Sequence, residues 1–226
     1  MKIGISVNGE GRGHLSRARA LAEILETRYD LIFWAPEHLA GELSALFPQA
    51  EVMTIPYLKF VQRGFTLDYG ATIAANAALF ADRGRVSARI ARAMRKARVD
   101  ALLSDFEPFA SRAARAVGIP VLQLNHPSVV ARSPALDPGT FLQRAVAVAV
   151  ARFMAGYADK TVVCSFFDGD VGPIVRKALR DKKRARENHF VVSVKPIYRE
   201  GIERALDAIG RDLFRVFPDP ATDYDD

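Results

Sequence analysis

The chain has 226 residues and half of them are hydrophobic, so it is long and apolar enough to bury the core of a globular domain. Its formal net charge is +6, but the basic residues are spread along predicted helices, and only 176–187 is dense in them. That spread argues against a nucleic-acid interface and fits a phosphate-bearing ligand or an anionic membrane surface better. A single cysteine, Cys164, excludes a disulfide within the chain and indicates a reducing compartment.

The sequence contains no recognisable targeting or membrane-spanning segment. The N-terminus does not resemble a secretory signal peptide, and the longest apolar helix candidate, 145–156, contains an arginine. That candidate is also far short of the ~20 residues that cross a bilayer. We therefore predict a cytoplasmic protein, and the basic helices add the prediction of peripheral contact with the inner face of the membrane.

Short apolar runs alternate with helical periods along the first three quarters of the chain. Strands are predicted at 2–7, 30–35, 51–55, 100–104, 120–124 and 160–164. Helices are predicted at 14–28, 37–46, 68–97, 107–117 and 140–156. Several strands are nearly continuous apolar runs, which is typical of parallel strands covered on both faces. The alternation predicts an α/β fold with a doubly wound, Rossmann-like parallel sheet.

The strand and helix pattern restarts near the C-terminus, with a strand at 189–195, a helix at 198–209 and a strand at 213–217. Two strands and one helix are too few to close a core of their own. We therefore predict a first domain, a crossover linker and the beginning of an incomplete second domain, and we expect the native chain to be longer. The boundaries of these three parts are 1–170, 171–188 and 189–226.

The turn after the first strand, inside "VNGEGRGHLSRARALAEIL" (7–25), contains three closely spaced glycines. In an open parallel sheet, ligands bind at the carboxyl ends of the strands. Glycines there allow the backbone to approach a ligand closely, and the following helix N-terminus favours an anion. A dinucleotide would need G-x-G-x-x-G, but reading from Gly9 places His14 at the third glycine, and reading from Gly11 places Ser16 there. We predict no dinucleotide cofactor.

His14 is the unusual residue of this turn, because an imidazole can act as a general base. It fits either a general base at a sheet-edge cleft or an ordinary polar residue in the first turn of a helix. A base needs a partner to orient its ring, and Asp105 and Glu107 follow the fourth predicted strand at the same edge of the sheet. The alternative for Asp105 is an N-cap of the following helix.

Further polar residues are expected at the same edge. Asn125 and His126 follow the fifth predicted strand, where turn chemistry before Pro127 is the alternative explanation. The residues predicted to bind ligand are Gly9, Glu10, Gly11, Arg12, Gly13, Glu107, Asn125 and His126. No cluster of metal ligands is evident, so we predict no metal site.

Three stretches, "GEGRGHLSRARALAEIL", "DALLSDFEPFASRAARAVGIPVLQLNHPS" and "VGPIVR", resemble the acceptor-side domain of GT-B glycosyltransferases. The resemblance includes the plant-type UDP-glycosyltransferases and the bacterial lipid-linked N-acetylglucosaminyltransferases, and it covers nearly the whole chain. The same three stretches are similar, more closely still, to a group of prokaryotic glycosyltransferase-like GT-B proteins. The three motifs occur in the same order as in these proteins.

The resemblance implies that His14 is the base and that Asp105 orients it, and that backbone amides of the turn, with Arg12, meet phosphate or acceptor. It implies an inverting transfer from a nucleotide-sugar, bound mainly by the C-terminal domain, to a small-molecule or lipid-linked acceptor. It implies no metal and no cofactor beyond that donor substrate. Because 189–226 is only the beginning of a donor-side domain, we expect the chain by itself to be inactive.

Two other functions fit the same residues. One is a non-catalytic binding subunit of a two-chain glycosyltransferase whose partner carries the donor site. The other is an epimerase-like GT-B protein that turns over a free UDP-sugar, since a shared fold by itself does not fix function.

Overall fold

The structure is a computed structural model that describes residues 1–63, 66–132, 141–183, 188–194 and 198–217. It divides into two compact units, Met1–Asp181 and Lys182–Asp226. The domain boundaries derived from the sequence stay a prediction.

The first unit alternates strands and helices. In chain order, its elements are β1 (Lys2–Val7), α1 (Arg12–Leu25), β2 (Asp30–Ala35), α2 (Glu37–Leu46), β3 (Glu51–Thr54), β4 (Gln62–Arg63), β5 (Thr66–Leu67), α3 (Tyr69–Ala75), α4 (Ala77–Ala97), β6 (Ala101–Asp105), α5 (Pro108–Ala116), β7 (Val121–Asn125), α6 (Phe141–Ala155), β8 (Lys160–Val163) and α7 (Lys177–Arg180). A short 3-10 turn, Pro127–Ala131, follows β7.

Six of these strands form one parallel sheet in the order β3-β2-β1-β6-β7-β8. The order reverses direction at β1, which lies between β2 and β6, and this confirms the predicted doubly wound sheet. Val7 at the end of β1 pairs with Asp105 at the end of β6. The segments that leave these two strands therefore start side by side.

Both faces of the sheet are covered because neighbouring residues of a strand point to opposite faces. Trp34 and Leu102 belong to the core cluster on one face, with buried residues of α4, α5 and α6. Phe33 and Leu103 belong to the cluster on the other face, with buried residues of α1 and α2. This two-sided burial explains why the strands are almost continuously apolar.

The segment between β3 and β6 differs from the prediction of one helix over 68–97. Two helices, α3 and α4, meet at Asn76, whose buried side chain accepts a hydrogen bond from the Lys59 amide and donates to the carbonyls of Lys59 and Thr72. The short antiparallel hairpin of β4 and β5 was not predicted either. Asn76 ties the chain before this hairpin to the helices after it.

The second unit contains β9 (Phe190–Ser193), α8 (Arg199–Ile209) and β10 (Phe214–Phe217), and its two strands pair in parallel. Leu206 of α8 is buried. These elements agree with the strand, helix and strand predicted there.

No helix among the described residues is long and apolar enough to cross a bilayer. The predicted peripheral contact with a membrane surface stays a prediction.

Two leucines on adjacent strands test the placement of the core. Leu102 in β6 is 1% exposed, whereas Leu122 in β7 is 38% exposed. We expect Leu102→Ala to lower the free energy of unfolding by about 2–5 kcal/mol, because it removes buried methyl groups and leaves a cavity. Leu122→Ala is the matched control and should cost about 1 kcal/mol or less. Denaturant unfolding measures both, and equal losses would contradict this core.

Candidate active site

The loop between β1 and α1 needs glycine at two positions. Gly11 has a φ of +79°, in the region that side chains rarely adopt. A Cβ atom at Gly9 would lie 2.5 Å from the ring of Tyr57, so only glycine fits there without movement. The Gly9 carbonyl oxygen also lies 3.2 Å from Nε2 of His38. The glycines therefore shape the loop tightly against its neighbours.

Side-chain hydrogen bonds fix this loop to the rest of the site. The Asn8 amide donates from Nδ2 to the carbonyl of Phe106 at 2.7 Å, and its Oδ1 accepts from the Glu10 amide at 2.7 Å. Glu10 in turn accepts from the Phe60 amide at 2.9 Å. These bonds join the ends of β1 and β6 to the segment before the β4–β5 hairpin.

His14 and Asp105 lie together at the carboxyl edge of the sheet. Nδ1 of His14 is 3.1 Å from Oδ1 of Asp105, and their side chains are 13% and 3% exposed. Phe106 stacks nearly parallel to the His14 ring, with 6.2 Å between ring centroids. Phe106 has a φ of 56°, a strained backbone conformation for a bulky residue. The pairing expected from the sequence is thus geometrically present, and the roles of the two residues stay predictions.

Arg17 completes this cluster and was not singled out from the sequence. It donates from Nε to Oδ2 of Asp105 at 3.0 Å and from Nη2 to Oδ1 at 2.8 Å, and Nη2 is 3.1 Å from Nδ1 of His14. Burial lowers the pKa of the Arg17 guanidinium, but the charge and hydrogen bonds of Asp105 outweigh that effect and raise it. The available signal was its spacing, three residues after His14 on one helix.

Glu107, rather than Asp105, caps the helix that follows β6. Its carboxylate accepts from the amides of Phe109 and Ala110 at 2.8 and 2.6 Å, and the residue is 2% exposed. Both oxygens are thereby used within α5. Burial raises the pKa of Glu107 to about 7, against the opposing effect of those two amides and of Arg112.

The other predicted ligand-binding residues are divided between the site and its surroundings. Asn125 is fully buried, and its Oδ1 accepts from the Ser128 amide at 2.8 Å. His126 directs Nδ1 to the carbonyl oxygen of Cys164 at 3.1 Å. Arg12 is exposed, and its guanidinium pairs with Glu42 at 3.0 Å.

Two adjoining apolar cavities lie beside this cluster. The larger, about 420 Å³, is lined in part by Glu10 and Phe106 and so borders the His14 ring through Phe106. The second is about 320 Å³ and extends along α3 and α6. The residues that line both are Phe60, Leu67, Tyr69 and Val150. Together they form one groove, which we call the apolar groove below, and Phe106 is the lining residue that also stacks on His14.

A separate, more polar cavity of about 310 Å³ lies along the first turns of α1. Its lining includes Gly13, Ser16 and Arg17 from α1, together with His126 and Cys164. Arg17 therefore has open space beside it while pairing with Asp105. Within the described parts of the chain, no group of three or more His, Cys, Asp and Glu side chains is placed to hold a metal ion.

The raised pKa of Glu107 makes stability depend on pH. Its ordinary value of 4.5 rises to about 7 in the folded chain, so the folded state holds the proton more tightly than the unfolded state. We expect the contribution of Glu107 to the free energy of unfolding to be greatest below pH 4.5. That contribution should fall by about 3 kcal/mol as the pH rises to about 7.

That fall should be absent in Glu107→Gln, which cannot ionise, and present in Glu42→Gln, which changes a partly exposed carboxylate. Chemical unfolding at a series of pH values measures the three proteins. Parallel stability curves for wild type and Glu107→Gln would contradict the assignment.

Comparisons with known proteins agree with this architecture. The model of glycosyl transferase family 1 matches residues 1–217. No match was found among curated proteins. The structure of Phytolacca americana UGT2 with UDP-2fluoro-glucose and pterostilbene is 16% identical, with a TM-score of 0.56 over 97% of this chain and 71% of that chain.

Two further structures are similar over most of the chain. The glycotransferase of kitacinnamycin is 17% identical, with a TM-score of 0.51 over 95% of this chain and 64% of that chain. Arabidopsis thaliana UGT89C1 with UDP-L-rhamnose is 16% identical, with a TM-score of 0.50 over 86% of this chain and 57% of that chain. The chain has the GT-B type of Rossmann-like architecture, and it belongs to glycosyl transferase family 1.

Proposed function

We propose that the chain is the acceptor-binding part of an inverting glycosyltransferase, with His14 as its general base. The observation that carries this proposal is the 3.1 Å approach of His14 Nδ1 to buried Asp105, beside the apolar groove. Transfer of a sugar from a nucleotide-sugar is the general activity of the family to which the chain belongs.

The proposed reaction uses the two ring nitrogens of His14 for different tasks. In the reactive form of the ring, Nδ1 carries a proton and faces the Asp105 carboxylate, which stabilises the imidazolium as it forms. Nε2 takes the proton of the acceptor hydroxyl while that oxygen forms a bond to the anomeric carbon. The bond from that carbon to the nucleoside diphosphate breaks, the electron pair leaves with the diphosphate, and the anomeric configuration inverts.

The apolar groove is the proposed acceptor site, and it favours an acceptor whose body is apolar and whose reacting end is a hydroxyl. Glu10 is the charged residue among the described residues of its lining, and its carboxylate accepts a hydrogen bond from the Phe60 amide. This composition fits a small apolar molecule or a lipid-linked acceptor. Pterostilbene in the similar Phytolacca structure supports the first of these.

The donor is proposed to be a nucleotide-sugar that binds mainly to the C-terminal domain. The similar plant structures contain UDP-sugars, and the chain spans only 57–71% of the length of the structures compared above. A second candidate function is a binding subunit whose separate partner carries the donor site. Copurification of a nucleotide-binding partner would favour the second candidate.

Replacing His14 tests the base assignment directly. We expect His14→Ala to lower the turnover number for sugar transfer by about 10²–10⁴-fold in the native full-length protein, because no group would accept the hydroxyl proton. Arg19→Met changes an arginine of the same helix that pairs with Glu23 and serves as the control. Transfer is measured by release of nucleoside diphosphate that depends on acceptor. Full activity of folded His14→Ala would contradict the proposal.

Filling the apolar groove tests the acceptor site separately. Ala147 of α6 lines the larger cavity, and Ala145, two residues away, is exposed. We expect Ala147→Phe to raise the acceptor KM by roughly 10–200-fold by steric exclusion, with the donor KM unchanged. Ala145→Phe, the matched control, should leave both values unchanged. Initial-rate kinetics with each substrate varied decide this, and an unchanged acceptor KM in Ala147→Phe would place the acceptor elsewhere.

A further inference from the structure

Three polar atoms meet at the candidate base. Nη2 of Arg17 lies 2.8 Å from Oδ1 of Asp105 and 3.1 Å from Nδ1 of His14. The third side of this triangle, Oδ1 to Nδ1, is also 3.1 Å. All three side chains are mostly buried, with exposed fractions of 13% for His14, 14% for Arg17 and 3% for Asp105.

The hydrogens of this triangle allow only two arrangements of a neutral imidazole. A guanidinium only donates and an ionised carboxylate only accepts, whereas Nδ1 of His14 can do either. If Nδ1 carries the proton, it donates to Asp105 and Nε2 is bare. If Nδ1 is bare, it accepts from Arg17 and Nε2 carries the proton. Only the first arrangement leaves Nε2 able to act as a base.

The observed contacts favour the second arrangement. The contact between Arg17 Nη2 and His14 Nδ1 has the geometry of a hydrogen bond. Arg17 also donates to both oxygens of Asp105, through Nε and Nη2. The carboxylate is therefore less available to accept a further hydrogen bond from a protonated Nδ1. The planar, permanently charged guanidinium of Arg17 is well suited to donate to Asp105 and His14 at the same time.

The other groups near this triangle do not offset the charge of Arg17. Cys164 lies 3.7 Å from Nη1 of Arg17, and burial raises the pKa of its thiol, which keeps it neutral. His126 lines the same polar cavity and faces a carbonyl oxygen. Glu10 is bound by the Phe60 amide in the loop before α1.

We propose that Arg17 is a positioning residue that holds neutral His14 with its proton on Nε2. The candidate base is then inactive as long as Arg17 contacts Nδ1. It becomes active when Arg17 leaves, Nδ1 takes up a proton from water and donates it to Asp105, and Nε2 releases its own proton to water. The polar cavity beside Arg17 provides space for that movement. The catalytic meaning rests on the proposed function, whereas the position of the proton can be measured without any transfer assay.

Nitrogen-15 NMR of the labelled 226-residue chain tests the proposal, with the His14 ring assigned from its loss in His14→Gln. Long-range proton–nitrogen spectra are recorded up to the pH at which the ring is neutral. In wild type we expect the Nε2–H form to dominate. In Arg17→Met, Asp105 alone remains at Nδ1, so we expect the ratio to move toward Nδ1–H by roughly ten-fold or more. Arg19→Met, which removes an arginine paired with Glu23 on the same helix, should leave the ratio unchanged.

A wild-type ring that is mainly Nδ1–H overturns the proposal, even if Arg17→Met does not fold. A folded Arg17→Met with an unchanged ratio also overturns it. Failure of the proposed function is distinguishable: a protein without transferase activity that still shows the Nε2–H ring and its response to Arg17→Met would refute the function and support the tautomer assignment.

Discussion

The carboxylate of Asp105 constrains the surrounding structure more than any other single group. It lies at the end of a central strand and is 2% exposed, and a buried charge without a partner costs several kcal/mol. Its counter-ion comes from α1, whose Arg17 must reach across the end of β6. Helix α1 can do so only if the chain turns sharply after β1, which is where the glycine loop lies.

The same requirement links the charged cluster to the apolar groove. The Asn8 side chain holds the carbonyl of Phe106, and Phe106 adopts a strained backbone conformation that stacks its ring on His14. Strain of this kind persists only where the surroundings impose it, and it is found often at functional sites. Phe106 then contributes one surface to the histidine and another to the groove. An apolar molecule in the groove would therefore contact Phe106, the residue that stacks on the His14 ring.

Much of this arrangement could be predicted from the sequence. The apolar runs predicted the six strands of the main sheet. The rule that ligands bind at the carboxyl edge of a parallel sheet predicted that His14 and Asp105 lie at the same edge. The N-cap role that the sequence offered as the alternative for Asp105 belongs instead to Glu107, because only the backbone geometry shows which carboxylate reaches the amides of α5.

The parts that the sequence did not predict depend on contacts between distant residues. Arg17 lies outside the apolar stripe of α1, so helical periodicity treats it as solvent-exposed, although its long side chain reaches Asp105 88 residues away. The helix break at Asn76 likewise depends on a bond to Lys59 that no local pattern shows. Periodicity describes the neighbours of a residue along one element, and these interactions join different elements.

The measurement that tests the account most directly is the anomeric configuration of the product. The native full-length protein would be given a nucleotide donor with an α-linked sugar, and the coupling of the anomeric proton in the new glycoside would be read by proton NMR. Deprotonation of the acceptor by His14 and a single displacement predict a β-linked product. An α-linked product would mean retention of configuration and would contradict the role assigned to His14 and Asp105.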